Sequence, residues 1–515
     1  MTSDRAPGVA AGERFRSWAE IQANAARAAG GFARLGLGED DAIALMLRND
    51  FATFEVNMAA SQLGAYAVPI NWHFTPEEAA YILADSGAKV LVAHSDLLAG
   101  IESGVPAGVT VLVVPTPDEI ATAYGVPAER RRVSPGVATW EAFVAGGAPR
   151  TEPPKAARGS MIYTSGTTGR PKGVRRQPAS PEQQMLLAAE AAKYWGLKPD
   201  PAIVVLMNGP MYHSAPAAYG MSSARHGLHM VLQPRFDAED MLRLIDEHKV
   251  SHMHIVPTMF VRLLRLPDPV KRRYDVASLR WIVHGAAPCA PAVKRQMIDW
   301  WGPVITEYYG ATETGVVVWH DSHEALAKPG TVGRVVPGAD LRIVDEQGRD
   351  VKQGEVGEIY VRGPHLSEFT YNNDDAKRRE VALGDLVTVG DVGYQDADGY
   401  VYLCDRKRDM IISGGVNIYP AEIESVLIQM PGVRDCAVFG IPDEEFGEQI
   451  CAHVEPQAGA AIDAAAVRAW LGQHVARYKV PKIVEFSAAL PREDSGKIFK
   501  RKLRAPYWEK AGRSI

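Results

Sequence analysis

The chain has 515 residues, 46% apolar and 23% charged, with a formal net charge of −6. That length is too great for one ordinary core and predicts about three domain-sized units. The composition is that of a globular protein, and the acidic balance excludes a nucleic-acid binder, whose footprint would be basic.

Residues 19–35 carry apolar side chains at helical spacing, residues 42–47 read as a buried strand, and 51–63 are again helical, with a short strand at 65–69. Thr75-Pro76-Glu77-Glu78 joins a capping hydroxyl, a first-turn proline and early acids, which predicts a helix to about residue 86. A strand over 89–93 follows. Residues 151–158 form a Pro/Ala-rich linker, and further strand–helix units are expected at 203–207, 241–256 and 281–284. Such alternation implies crossovers and mostly parallel sheets. From about residue 330 short strands are punctuated by turns, among them Asp345-Glu346-Gln347-Gly348 and Asp396-Ala397-Asp398-Gly399, which predicts a β-rich stretch. After the charged cluster Asp405-Arg406-Lys407-Arg408-Asp409 the chain forms its own strand–helix set, with helices expected near 421–429 and 464–474.

Cys289, Cys404, Cys436 and Cys451 show no C-x-x-C pair and no zinc spacing, which suits free thiols in a reducing compartment. No apolar run reaches the length of a membrane span, residues 1–20 contain no signal-peptide core, and Arg513-Ser514-Ile515 matches no address tail. The expected location is cytoplasmic. Oligomeric state is not legible, and a homodimer is left open. His252 and His254 alternate on an expected strand without an evident third ligand, so packing is the better reading than metal.

After the apolar Met161-Ile162-Tyr163 comes Thr164-Ser165-Gly166-Thr167-Thr168-Gly169-Arg170-Pro171-Lys172-Gly173. Glycines let backbone N–H groups approach phosphate oxygens, hydroxyls donate to them, and the cations offset their charge. The spacing is not that of a Walker A loop. A solvated Ser/Thr/Gly loop is the bland alternative, which ten ordered positions fit badly.

With this loop go Met211-Tyr212-His213, Gly285-Ala286-Ala287-Pro288, Tyr309-Gly310-Ala311-Thr312-Glu313, Thr388-Val389-Gly390-Asp391, Asp405-Arg406 through Gly415, and Ser495-Gly496-Lys497. In this order the motifs resemble those of the adenylate-forming superfamily, from about residue 15 to 503. The texture is most similar to its fatty and aromatic acyl-CoA synthetases, as at Ile411-Ile412-Ser413-Gly414-Gly415-Val416-Asn417-Ile418-Tyr419-Pro420. The resemblance implies an α/β fold. A large N-terminal domain (1–405) would hold two mostly parallel sheets and a small β-rich subdomain (about 330–405). A small, mobile α+β C-terminal domain (406–515) would follow, with a hinge near 407–408.

The implied activity is ATP-dependent ligation of a carboxylic acid to coenzyme A through an acyl-AMP, with Mg²⁺ as cofactor. Thr164, Ser165, Gly166, Thr167, Thr168, Gly169 and Lys172 would hold the departing phosphates. Glu313, with Thr168, would hold Mg²⁺, and Thr312 would face the α-phosphate. Tyr309 would lie against adenine beside Gly285, Ala286 and Ala287, with Glu307, Tyr308 and Gly310 nearby; relatives often carry an amide where this chain has Glu307-Tyr308. Asp391 and Arg406 would take the ribose, and Lys497 would neutralise carboxylate and α-phosphate together. Two acids, Glu493 and Asp494, stand close to that lysine. His213 would stand at the mouth of the thiol path, Gly414 and Gly415 along it, with Phe446 and Lys482 as further coenzyme A contacts and Arg408 at the hinge.

The implied acyl pocket takes Tyr212, Ser214, Ala215, Ala218, Gly220, His284, Gly285, Gly310, Ala311 and Val316. No acid or lysine among them would pair with a charged amino acid. A medium or long fatty acid, or an aryl or cyclic acid, is expected. Transfer to a carrier protein, an amine or another small nucleophile is the alternative to coenzyme A.

Overall fold

The computed structural model describes residues 6–133, 136–164, 171–365, 368–492 and 498–510. Local chemistry fixes many of the boundaries. Helix Pro76–Ser86 begins at Thr75, whose side chain accepts from the Glu78 N–H while the Glu78 carboxylate accepts from the Thr75 N–H at 2.9 Å. Two otherwise orphaned donors are satisfied reciprocally. The helix stops at Gly87, which takes the left-handed conformation that a side chain would resist. Helices Trp18–Arg34 and Pro181–Tyr194 open with the same reciprocal cap, at Ser17 and Ser180.

Strands Ala42–Met46, Tyr66–Pro69, Ala88–His94 and Thr110–Val114 form a four-stranded sheet, parallel throughout. All five residues of the first strand are buried, as expected where both faces are covered. A second, 15-stranded sheet contains the parallel run His229–Leu232, Val204–Met207, His252–Ile255, Trp281–His284 and Ile305–Ala311. Gly315–His320 then turns back antiparallel. Apart from Phe369–Tyr371, strands from Gly333–Val335 to Tyr400–Arg406 continue from it, so most of the β-rich stretch extends the large sheet instead of making a separate one.

Ile162–Thr164, Lys172–Arg176 and Phe369–Tyr371 make a three-stranded antiparallel sheet. The last sheet has five strands and includes the long hairpin Val433–Asp443 with Gly447–Pro456. Helices Pro420–Leu427 and Ala464–His474 cover it through Ile423, Leu427, Val467 and Leu471. Among the described residues no helix is long and apolar enough to cross a membrane.

His252 and His254 are buried with partners: Nδ1 of His252 lies 2.8 Å from Ser251 Oγ, and Nε2 of His254 lies 3.1 Å from Tyr308 Oη. Burial pushes both imidazoles down to about 4, so both are neutral at pH 7.

Candidate functional site

Motif residues far apart in sequence meet around one cleft of about 2700 Å³, lined from both the large sheets and the C-terminal part. Its phosphate side is built on the three-stranded sheet. Thr164 and Lys172 face each other across strands Ile162–Thr164 and Lys172–Arg176, at the two ends of the glycine-rich segment. Ser165, Gly166, Thr167, Thr168 and Gly169 lie outside the described residues. Lys172 Nζ lies 3.5 Å from Asp374 and 5.6 Å above the Tyr371 ring. Burial, then the charge of Lys377, lowers its pKa.

Glu313 is buried, and its Oε1 accepts from Tyr371 Oη at 3.0 Å. Burial raises its pKa, against the opposing pull of Tyr371 and Arg176. A buried carboxylate with one occupied oxygen suits a small divalent cation that keeps waters and shares phosphate oxygens. Among the described residues no group of three His, Cys, Asp or Glu is arranged to hold a metal ion. Thr312 Oγ1 donates to Ser214 Oγ at 2.9 Å, which joins this strand end to the start of helix Ser214–Arg225.

Arg176 was not singled out by sequence. Its guanidinium is enclosed in the cleft, donates to the Thr312 main-chain carbonyl, and faces Glu313. Burial pushes its pKa down to about 10, so it stays charged at neutral pH. The available signal was a pair of arginines one strand length past the phosphate loop.

On the nucleoside side, strand Trp281–His284 ends in Gly285, where a Cβ would come within 2.9 Å of Tyr308. Only glycine fits that approach. Ala286 follows with φ +67, a costly conformation for a residue with a side chain, and Ala286 and Ala287 line the cleft. Tyr309 Oη donates to Asp391 at 2.8 Å, and Arg406 Nε lies 3.4 Å from the other Asp391 oxygen. Glu307 is not free to choose partners. Its carboxylate takes Lys294 Nζ and, at 2.8 Å, His320 Nε2; burial pushes its pKa up, but Lys294, His284 and His320 together outweigh burial and hold it well below the ordinary value. Tyr308 points the other way along the strand, toward His254 and Trp195.

On the acyl side, Tyr212, His213, Ser214, Ala215, Ala218, Gly310, Ala311 and Val316 all line the cleft. Tyr212 stacks edge-on to Trp72 at 4.5 Å. Two expected pocket residues do not face it. Gly220 turns toward Met207 and Met211, whose methyl carbons would lie 3.0 and 3.1 Å from an added Cβ. His284 is fully buried and edge-on to Phe260 at 5.3 Å, and burial pushes its imidazole down to about 3. The one-residue period of a strand turns His284 away from the cleft and Gly285 beside it. Leu187, Glu190, Tyr194, Trp195 and Met221 complete the wall, and sequence reading missed them because helix Pro181–Tyr194 carries no motif.

Gly414, Gly415, Phe446 and Lys482 gather on the C-terminal sheet, away from the cleft lining. Gly414 N donates to Phe446 O at 2.9 Å, and Lys482 Nζ sits 4.6 Å above the Phe446 ring. Ile412, Val416 and Phe446 form an exposed apolar patch there. Lys497, Glu493 and Asp494 lie outside the described residues, whereas their neighbours Arg492 and Ile498 pair as an antiparallel bridge and line the cleft. Arg408 also lines it, and its carbonyl lies 3.5 Å from Arg504 Nη1.

The cleft gathers the charged side chains Lys172, Glu313, Asp391 and Arg406 with small and apolar residues along helix Ser214–Arg225. The family model described as AMP-binding enzyme matches residues 3–369, and that described as AMP-binding enzyme C-terminal domain matches 422–497. The chain belongs to this family, within the adenylate-forming superfamily. It is 34% identical to a feruloyl-CoA synthase of an Amycolatopsis species, over 98% of this chain and 96% of that protein. It is 32% identical to a long-chain-fatty-acid–CoA ligase of Mycobacterium tuberculosis, over 95% and 93%. Among solved structures, ATP-bound MatB of Rhodopseudomonas palustris superposes with a TM-score of 0.82 at 30% identity, covering 98% of this chain and 97% of that one. The o-succinylbenzoate CoA synthetase of Bacillus subtilis, in complex with its acyl-adenylate, gives 0.77 at 26% identity, covering 96% and 94%.

Proposed function

We propose that the chain is an AMP-forming acid–CoA ligase acting on a hydrophobic carboxylic acid, a fatty acid of medium or greater length or an aryl or cyclic acid. In the first step a carboxylate oxygen attacks the α-phosphorus of ATP, the bond to pyrophosphate breaks, and acyl-AMP forms. In the second the sulfur of coenzyme A attacks the acyl carbon and AMP leaves. Both steps bring anions together, so the side chains act mainly by placing and neutralising charge. The observation that carries this reading is the meeting, in one cleft, of Lys172, Glu313 and the Tyr309–Asp391–Arg406 set with an apolar branch along helix Ser214–Arg225.

Thr164, Lys172 and the hydroxyls of the loop between them hold the departing phosphates. Glu313, with Thr168, would hold Mg²⁺, which would supply positive charge to the phosphate oxygens. Arg176 keeps Thr312 and Glu313 in place, and Thr312 faces the α-phosphate. Tyr309 lies on the adenine with Ala286 and Ala287, while Asp391 and Arg406 take the ribose hydroxyls. Lys497 neutralises the attacking carboxylate and the α-phosphate.

The second step draws on a different surface. That surface carries the exposed apolar side chains of Ile412, Val416 and Phe446, with Gly414 and Gly415 between. Rotation about Arg408 carries it to the cleft, and the glycines let the pantetheine arm pass close to the backbone. A pyrophosphate-release screen over fatty, aryl and amino acids, with and without coenzyme A, tests the reading. Release with hydrophobic acids and thioester formation only with coenzyme A are expected. Release with no acid refutes adenylation, and release without thioester formation refutes coenzyme A as acceptor.

A further inference from the structure

The seam between helix Pro257–Leu264 and strand Val433–Asp443 is a contact between the two sides of the cleft. Arg265, which caps that helix, sends Nη2 to the carbonyl of Val433 at 3.0 Å and Nη1 to the carbonyl of Arg434. The planar fork of a guanidinium matches two neighbouring acceptors, whereas a lysine would offer only a point charge.

The next residue along the strand continues the connection. Asp435 Oδ2 accepts from Arg492 Nη1 at 2.6 Å, and Arg492 Nη2 reaches Glu455 at 2.6 Å. Glu455 is buried, accepts from Leu490 N at 2.9 Å, and is held by Arg434 at 3.1 Å. Arg492 is the residue bridged to Ile498, so these pairs fix the base of the segment that contains Lys497.

We propose that Arg265 is a positioning residue for acyl-AMP formation: it docks the start of strand Val433–Asp443 and, through Asp435, holds the Arg492–Ile498 bridge at the cleft. The proposal rests on the ligase reading and adds a residue whose side-chain bonds go to the main chain of the facing strand at the edge of the cleft.

A residue that favours one of two orientations changes a rate by changing a population.

Arg265→Ala and Arg265→Lys test this in the full chain. Single-turnover acyl-AMP formation and thioester formation from supplied acyl-AMP are measured separately. Arg265→Ala should lower the first by about 10–100-fold and leave the second within about twofold. Arg265→Lys should fall between. Spin labels at exposed Leu35 and Tyr478 report the orientation without turnover, and their distance distribution should shift in Arg265→Ala. Equal loss of both steps overturns the proposal, as does an unchanged first step with unmoved labels. If the wild type releases no pyrophosphate with any acid, the ligase reading fails, and the label distances still decide whether Arg265 docks the strand.

Discussion

Tyr309 donates a 2.8 Å hydrogen bond to Asp391, 82 residues further along the chain, and so ties the proposed adenine and ribose contacts into one unit. The bond is buried, and the Asp391 side chain is also approached by Arg406 at 3.4 Å. Tyr309→Phe keeps the ring and removes the bond. It should raise KM for ATP about tenfold with a smaller change in kcat, since a hydrogen bond to a charged group is worth roughly 1.5–3 kcal/mol. Asp391→Ala should cost more than Tyr309→Phe. An unchanged KM in both variants would remove Asp391 from the nucleotide site.

Arg176 is the second test. Arg176→Met leaves Glu313 buried without its facing cation and frees the Thr312 carbonyl. Acyl-AMP formation should fall by about 100-fold or more, as for loss of a preorganised charge beside a reacting phosphate. Transfer from supplied acyl-AMP should suffer much less, and Arg176→Lys should recover part of the loss. Pyrophosphate release and thioester formation, measured separately, check this.

Glu190 gives a pH dependence. It lines the cleft where the acyl chain is proposed to lie, and burial pushes its carboxyl up to about 7, with His365 Nε2 lying 3.8 Å away. The folded pKa lies above the ordinary carboxylate value, so folding favours the protonated form. Its stabilising share is full below the ordinary value and is lost as pH rises toward about 7. Ionisation also places a negative charge beside an apolar acyl chain. KM for the acid should therefore rise from pH 6 to pH 8, and Glu190→Gln should flatten both the KM profile and this part of the stability profile. A profile identical in the variant would assign the titration elsewhere.

Lys497→Ala should abolish acyl-AMP formation and spare transfer from supplied acyl-AMP. Arg408→Pro, which fixes φ at the hinge position, should keep single-turnover acyl-AMP formation and lose most thioester formation. Burst-phase kinetics read both, and normal thioester turnover in Arg408→Pro would show that no rotation about that residue is needed.

Much of the scaffold was legible because its signals are local. Thr75, Pro76 and Glu78 announce a helix by caps that need no tertiary partner, and the helices at Phe51–Leu63 and Ala464–His474 have the bounds their periodicity predicts. Several motif positions stood out because a glycine lies beside them at a strand end, as at Lys172-Gly173 and Gly390-Asp391. What escaped depends on contacts across the fold. Arg176 and Glu313 are 137 positions apart in numbering and meet only when the strands Lys172–Arg176 and Ile305–Ala311 face one cleft. His284 was misplaced because one residue along a strand reverses the face. Trp195 and Glu190 lie on or after a helix whose apolar spacing gives no hint that its exposed side borders a substrate.

The sheet that frames the phosphate loop is assembled from distant pieces. Strand Phe369–Tyr371 pairs with Lys172–Arg176, and Asn372 Nδ2 donates to the carbonyl of Asp85 at 2.7 Å, a separation of 287 residues. Val174 finds its apolar cover in Phe369, Tyr371 and Val387. A two-stranded hairpin alone is marginal in water. During synthesis, then, the strands on either side of the loop wait for their third member until the ribosome has passed residue 371. The four-stranded parallel sheet needs nothing beyond residue 114 for its own pairings and can form much earlier. Nucleotide binding is thus a late acquisition of the nascent chain, gained only after the strand that completes the loop's sheet emerges.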